Sequence, residues 1–427
     1  MTVASAPTSV RLGSRQIPYG WVIVAALSVT ETVTWGIVYY GFPVFLRPME
    51  QDLGASRVAV TGAFSVGLGV SALAALPVGR WIDRHGGRGL MTAGSCLATA
   101  LTLAWGRVES LPALYAVWLL MGLAMAATLY EPAFAVVVSW FAEGRDRALL
   151  TVTLAAGLAS TIFMPIEAWL LGRVGWRAAV TILAVVLAIA TIPVHALLLR
   201  RGPVGLERKG AAAEAAGRPA GLTLREAAGT LVFWVLVPAF FVGNFATAAI
   251  SIHLIPYLVG LGYSAAIAAG VIGWMGAMQL PGRLIFVPIS GRLGARWMLA
   301  AVFLAQALGV GQLPLLALIG TVAPFVLLQG AANGMATLAR ATSLAEIFGS
   351  RHYGSIAGAV ALGANGARAI GPVGASLLWV SLGSYSAVFW VLSASLVAAS
   401  LGVLATGDAA SRAGAPPPGP GRSGTSA

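Results

Sequence analysis

Along this chain, runs of apolar residues about as long as a bilayer is thick alternate with short polar connections. A hydrocarbon core about 30 Å deep takes roughly 20 residues of helix to cross. Twelve such runs lie at 18–41, 57–78, 89–106, 111–140, 148–171, 177–199, 230–258, 264–288, 297–316, 320–345, 354–380 and 385–406. They predict twelve membrane-spanning α-helices. The segment 1–17 is polar, and the run that begins near Pro18 is too long for the core of a cleaved signal peptide, so it reads as a retained first span. The strip 407–427 ends AGAPPPGPGRSGTSA, a composition that cannot bury a core and is expected to be disordered.

A polar segment at 200–229 divides the runs into an N-terminal group of six, 18–199, and a C-terminal group of six, 230–406. It carries Arg200, Arg201, Arg208, Lys209 and Arg218, and its end, 222–228, reads as a short surface helix. The two groups repeat each other at a near-constant offset. Gly86 and Gly294, and Gly175 and Gly383, lie 208 positions apart, and Phe141 and Phe348 lie 207 apart. A duplicated six-helix unit with parallel repeats follows.

Composition removes the soluble classes. Hydrophobic residues make up 58% of the chain and charged residues 9%, too few charges to cover a soluble fold of 427 residues. The net charge of +12 is carried by 25 arginines and one lysine placed mostly between the runs, which is not a nucleic-acid-binding patch. With the N-terminus inside, the cytoplasmic segments hold 18 of the 26 cations and the opposite loops hold five, Arg47, Arg57, Arg107, Arg173 and Arg177. That bias places both termini in the cytoplasm and the protein in the cytoplasmic membrane. The single cysteine, Cys96, excludes an intramolecular disulfide. Lys209 is followed by glycine, so no phosphate-binding loop is present, and no cluster suggests a metal, a haem or another cofactor. An enzyme, a channel and a sensor each lack their expected signature.

The connection after the second run reads Gly79-Arg-Trp-Ile-Asp83-Arg84-His-Gly86-Gly-Arg88. It resembles the signature of the major facilitator superfamily, with glycine at position 87 where a basic residue is common. The second half carries a degraded copy, Ser290-Gly291-Arg292-Leu293-Gly294-Ala295-Arg296, with Gly291 in place of the acid. Trp140-Phe141 before Arg145 and Arg147, and Gly175-Trp176-Arg177, also look like that superfamily. The resemblance covers about 18–406. It implies two six-helix bundles in the major facilitator fold and secondary transport by alternating access. On physical grounds, Asp83 can meet the positive N-terminal end of the eleventh helix near Gly354. Arg84 and Arg88 can bridge to Glu143 or Asp146. Such contacts would hold an inner gate built on Gly79, Asp83, Arg84, Gly86 and Arg88.

Ionisable groups at membrane depth are functional candidates. Glu31 falls mid-depth in the first run and Glu131 in the fourth. Burial there favours the neutral acid, which makes both proton-coupling candidates. Glu167 reads as reaching the outer interface. Arg340 can reach the inner interface or pair with Glu131. Arg283 and Arg368 lie within easy reach of no loop; Gln279 shares a face with Arg283, and Asn365 with Arg368. Arg283 is either a receptor for a carboxylate, which a guanidinium grips by two parallel hydrogen bonds, or a buried partner of Glu31 or Glu131. Asn244, Thr247 and Ser251 share a face of the seventh run, and the lone His253 reads as a packing residue. Gly282-Arg283, eight residues before Gly291, resembles the monocarboxylate and oxalate/formate branch. There an arginine at that place binds the substrate's carboxylate. The oxalate branch has a lysine where this chain has Asn365, which argues against oxalate itself, with Arg368 one turn on as a second cation. The substrate site is therefore expected at Arg283, Gln279, Asn365, Arg368 and Asn244. The substrate is expected to be a small monocarboxylate-like anion carried with protons. The alternative is a proton-antiport exporter of drug-like or amphipathic compounds; a Gly-Pro motif common in such exporters is absent from the fifth run, which has Gly157 and Met164-Pro165. A monomer is compatible with either.

Overall fold

The computed structural model describes residues 9–12, 15–141, 143–202 and 221–406. The tail expected over 407–427, most of the 200–229 linker and much of the 1–17 segment lie outside these residues.

Strands β1 (Ser9–Leu12) and β2 (Arg15–Pro18) form a small antiparallel hairpin ahead of the first span, with Leu12 opposite Arg15. Nothing in the polar N-terminal composition pointed to it. The other regular elements among the described residues are helical. Twelve long helices follow among the described residues. In the first half they are α1 (Tyr19–Leu53), α2 (Arg57–His85), α3 (Gly87–Trp105), α4 (Leu111–Trp140), α5 (145–174) and α6 (176–198). In the second half they are α7 (Leu231–Gly260), α8 (Ala265–Ser290), α9 (Ala295–Gln312), α10 (Ala323–Phe348), α11 (Tyr353–Leu382) and α12 (Tyr385–Ala405). The short helix expected over 222–228 is present at Leu224–Ala228, opened by a reciprocal cap between Thr223 and Glu226.

Short polar side chains start many of these helices. Ser56, Ser110, Thr230, Ser264 and Ser384 each accept a hydrogen bond from a backbone N–H of the first turn. Gly175, at φ 75°, breaks α5 from α6, a left-handed conformation that only glycine adopts readily. Two helices run further than their apolar patterns suggested. The first continues to Leu53, and α2 continues to His85, so Asp83 sits on the last helical turn and not in a loop.

Seven stretches are long and apolar enough to cross a bilayer by length and composition alone. The helices that carry Arg283, Arg340 and Arg368 are not among them. Three helices of the first half are irregular at mid-depth. In α1, residues Trp35–Tyr40 form a π-helical turn; α4 breaks at Leu129; α5 breaks at Leu158. Irregular backbone at membrane depth is tolerated where it is enclosed by protein or lines a cavity.

One apolar core lies within the first half, around Phe42, Phe45, Trp105, Trp118, Phe163 and Trp176. A second fills the second half and takes in Tyr19, Phe134, Val137 and Leu149 of the first. The halves meet where α2 packs along α11, α5 along α8 and α10, and α4 against α11. Helix α1 packs on α5 and α6, and α7 packs on α11 and α12, so the first helix of each half stays with its own bundle.

Candidate functional site

The seam between the halves is tightest where α2 crosses α11. Gly79 and Gly354 face each other so closely that a Cβ on either would run into the other's backbone. Gly358 lies against the carbonyl of Ala75 in the same way. This close approach brings the Asp83 carboxylate onto the first turn of α11. It accepts hydrogen bonds from the backbone N–H of Gly354 at 2.8 Å and of Ser355 at 2.7 Å, and from the Ser355 hydroxyl. An anion at the start of a helix satisfies donors that have no partner inside the helix. Gly86 ends α2 at φ 80°, and Gly87 is buried against Val136, which leaves no room for the basic side chain common at that position.

Arg84 and Arg88 are exposed and bridge to neither Glu143 nor Asp146. With Arg80, Arg225 and His352, Arg84 lines a cleft beside Asp83. Asp146 accepts instead from the Ser290 hydroxyl at 2.7 Å, across the seam. The two contacts are related by the repeat. Helices α5 and α11 begin 208 positions apart, each meeting the end of a helix from the other half. The degraded copy of the loop motif keeps the contact with donor and acceptor exchanged.

Deeper in, α4 and α10 are joined by an ion pair, Glu131 to Arg340 at 2.6 Å. Arg340 therefore does not reach to the interface. Arg283 pairs with neither Glu31 nor Glu131. Its guanidinium crosses from α8 to α5, donates to the Thr153 carbonyl at 2.7 Å and to Gln279 at 3.4 Å, and lies over Gly157. Arg283 is 6% exposed and its Nε has no partner. Arg368 is exposed toward α7, where its Nε donates to Asn244 at 2.8 Å. Asn365, one turn earlier, makes no side-chain hydrogen bond among the described residues. Both arginines act electrostatically on the hydroxyls of Tyr40 and Tyr130, from α1 and α4. Arg283 and Arg368 thus share the neighbourhood of the Tyr40 and Tyr130 hydroxyls, and among the described residues no carboxylate pairs with either cation.

Glu31 sits beside this group, fully buried. One oxygen accepts from the Trp35 indole N–H at 3.0 Å and the other has no partner. Glu31 and Arg283 both act electrostatically on the Tyr130 hydroxyl. No direct Glu31–Arg283 pair exists among the described residues, so the alternative of a buried partner for Arg283 is not realised with Glu31. Glu167, expected at the outer interface, is fully buried instead. His253 packs between Ser376 and Tyr385.

Three features escaped the sequence reading. Trp35, Tyr39, Tyr40 and Tyr130 form a continuous aromatic wall, with ring centroids 4.9 Å apart for Trp35–Tyr39 and Trp35–Tyr130. A π-helical turn disguises this cluster, because its residues leave the α-helical period. Asn333 accepts from Thr247, Gln306 and Gln329, tying α7, α9 and α10 together; three amides in apolar helices were the available signal. His195 is buried on Ser95 and the Met91 carbonyl. Among the described residues, no group of three His, Cys, Asp or Glu side chains comes together to hold a metal ion.

The chain is similar to known proteins in sequence and in fold. The chain is 26% identical over 324 residues to the oxalate:formate antiporter of Oxalobacter formigenes, a match covering 74% of this chain and 76% of that one. It is 26% identical over 168 residues to monocarboxylate transporter 13 of Rattus norvegicus, which covers only 39% of each chain. In fold it superimposes on the crystal structure of the human organic anion transporter MFSD10 (TETRAN) with a TM-score of 0.71 at 15% identity, over 91% of this chain and all of that one. A family model described as the Major Facilitator Superfamily matches residues 27–325. Matched over more than two thirds of its length, this multi-pass membrane chain belongs to the Major Facilitator Superfamily, a family of transporters and not of enzymes.

Proposed function

We propose that the chain carries a small organic anion, a monocarboxylate or a close chemical relative, across the cytoplasmic membrane by alternating access coupled to protons. One observation carries this reading: Arg283 and Arg368 share a site in the seam with no acid paired to either. Unpaired charge at membrane depth is expensive, so a guanidinium kept there without a carboxylate calls for one from outside the chain. Arg283 has a free Nε for a further bond, with Gln279 beside it, while Asn244 flanks Arg368 and Asn365 lies one turn before it. Tyr40 and Tyr130 complete the wall with hydroxyl donors. Arg368 takes the place of the second cation that the oxalate branch carries at position 365.

The arginine distribution orients this site. With both termini cytoplasmic, the Asp83–Ser355 and Asp146–Ser290 contacts close the inner side. Glu31 and Glu131 are the proton-coupling candidates: Glu131 through its exchangeable partner Arg340, Glu31 through Tyr130. The relative that matches over most of its length is an antiporter, so anion exchange and proton symport are both tested. The test is uptake of labelled formate, lactate, pyruvate and oxalate into proteoliposomes, with and without a pH gradient. Transport of a monocarboxylate that Arg283→Lys abolishes supports the reading. Transport of amphipathic cations with no carboxylate uptake replaces it with the exporter.

A further inference from the structure

Glu167 is a buried acid that the account above leaves without a task. It lies on α5, in the half of the helix beyond the break at Leu158, and is fully buried. Neither carboxyl oxygen has a hydrogen-bond partner. Among the described residues no charged group acts on it. The elements packed against it explain why. On α1, Glu31 is bonded to Trp35, Glu50 to Arg57, and Asp52 to Trp176 and Arg177, while Arg47 is no partner of Glu167. Tyr39 and Tyr40 are the titratable groups of the π-helical turn. On α5 itself, Arg173 stacks on Trp169, and Arg145, Asp146 and Arg147 stand at the far end. Arg88 and Cys96 of α3 and His195 of α6 are not bonded to it either.

The contact that encloses Glu167 is specific. A Cβ on Gly36 would collide with Phe163, and one on Gly41 would lie 2.9 Å from a Glu167 oxygen. Phe163 and Glu167 are one α-helical turn apart on α5. Gly36 and Gly41 are five residues apart, one turn of a π-helix. In a regular α-helix five residues turn through about 140° away from one face. The π-helical turn is therefore what presents both glycines to α5 at once. The same turn carries Trp35, Tyr39 and Tyr40, the aromatic wall of the anion site.

We propose that Glu167 is a proton-binding site of the transport cycle, and that its occupancy is passed to the anion site through the π-helical turn of α1. This inference rests on the organic-anion reading for its coupling partner, though the proton site itself stands on the Glu167 geometry. A buried carboxyl with no protein donor and no cation beside it fits this closed contact only in its neutral form. When its proton leaves to water, the carboxylate needs hydration, and α1 and α5 must part to admit it. That parting moves Trp35, Tyr39 and Tyr40, and with them the wall around Arg283 and Arg368. Reprotonation from the outer side restores the contact.

Two measurements test it. The first is an infrared pH titration of the purified protein, following the carbonyl stretch of protonated carboxyl groups. The wild type retains this absorption at neutral pH; one component disappears in Glu167→Gln, persists in Glu31→Gln and shifts in Glu167→Asp. An identical spectrum in Glu167→Gln overturns the proposal. The second uses a carboxylate from the panel that the wild type carries. A gradient of one pH unit drives about tenfold accumulation per coupled proton. The wild type accumulates the anion, whereas Glu167→Gln shows counterflow exchange without accumulation. Accumulation by Glu167→Gln equal to the wild type overturns the coupling role. If the wild type carries no carboxylate, the anion reading fails while the infrared titration still decides the proton site. If Glu167→Gln does not fold, the shifted component in Glu167→Asp decides it.

Discussion

Asp83 accepts the backbone N–H groups of Gly354 and Ser355, at 2.8 and 2.7 Å, and so fastens the end of α2 to the start of α11. The acid belongs to one half and the helix terminus to the other, so the contact exists only while the halves are together on that side. Asp83→Asn keeps an acceptor but removes the charge that favours a helix N-terminus. The loss is about 1–2 kcal/mol, or roughly a five- to thirtyfold shift of the closed state toward the open one. Turnover falls while substrate affinity changes little, because the contact is remote from the arginines. Initial rates and half-saturation in proteoliposomes check this, and an unchanged turnover removes the gating role.

Gly79 is a steric condition for the same closure. A methyl group there meets the Gly354 carbonyl, and backbone cannot give way as a flexible side chain would. Gly79→Ala is expected to hold the inner side apart without unfolding either half. Spin labels on His85 and Arg351, both exposed at that face, report the distance. A longer distance in Gly79→Ala is the expected result, and an unchanged distribution counts against the steric argument.

The Glu131–Arg340 pair, with side chains 16% and 13% exposed, links α4 to α10. Removing one partner strands the other charge and costs about 3–5 kcal/mol, whereas removing both leaves two neutral amides. Thermal melts of Glu131→Gln, Arg340→Gln and the double variant give the comparison. The double variant is expected to melt above at least one single variant. A double variant less stable than both by the sum of the single losses shows that the two side chains act independently.

The helices and the inner seam were legible in the sequence because each rests on a local rule. A bilayer fixes the length of an apolar run, and an acid in the motif after α2 has few partners other than the helix start that the repeat sets opposite it. Equivalent places in the two repeats offered the pairing of Glu131 with Arg340 only as the lesser of two readings, behind reach to the interface, and the structure shows the pair. Side-chain direction was not legible. Glu167 reads from the sequence as facing the interface because depth along a helix says nothing about which neighbour it meets, and the neighbour here is set by Gly41. The π-helical turn was hidden for a related reason. One inserted residue shifts Tyr39 and Tyr40 onto a face that an α-helical count assigns elsewhere. Arg283 was weighed against acids as partners, but it bonds a backbone carbonyl on α5, a group that every residue carries and no pattern marks.

The central claim is that Arg283 is the carboxylate receptor, and counterflow measures it directly. Proteoliposomes loaded with an unlabelled carboxylate take up the labelled one through binding and exchange alone, with no driving gradient. Arg283→Lys keeps the positive charge and loses the planar fork, which removes about 2 kcal/mol of binding, or roughly thirtyfold in affinity. The account predicts that Arg283→Lys loses counterflow at substrate concentrations that saturate the wild type, with the protein still folded and monodisperse. Counterflow by Arg283→Lys at the wild-type rate and half-saturation contradicts it.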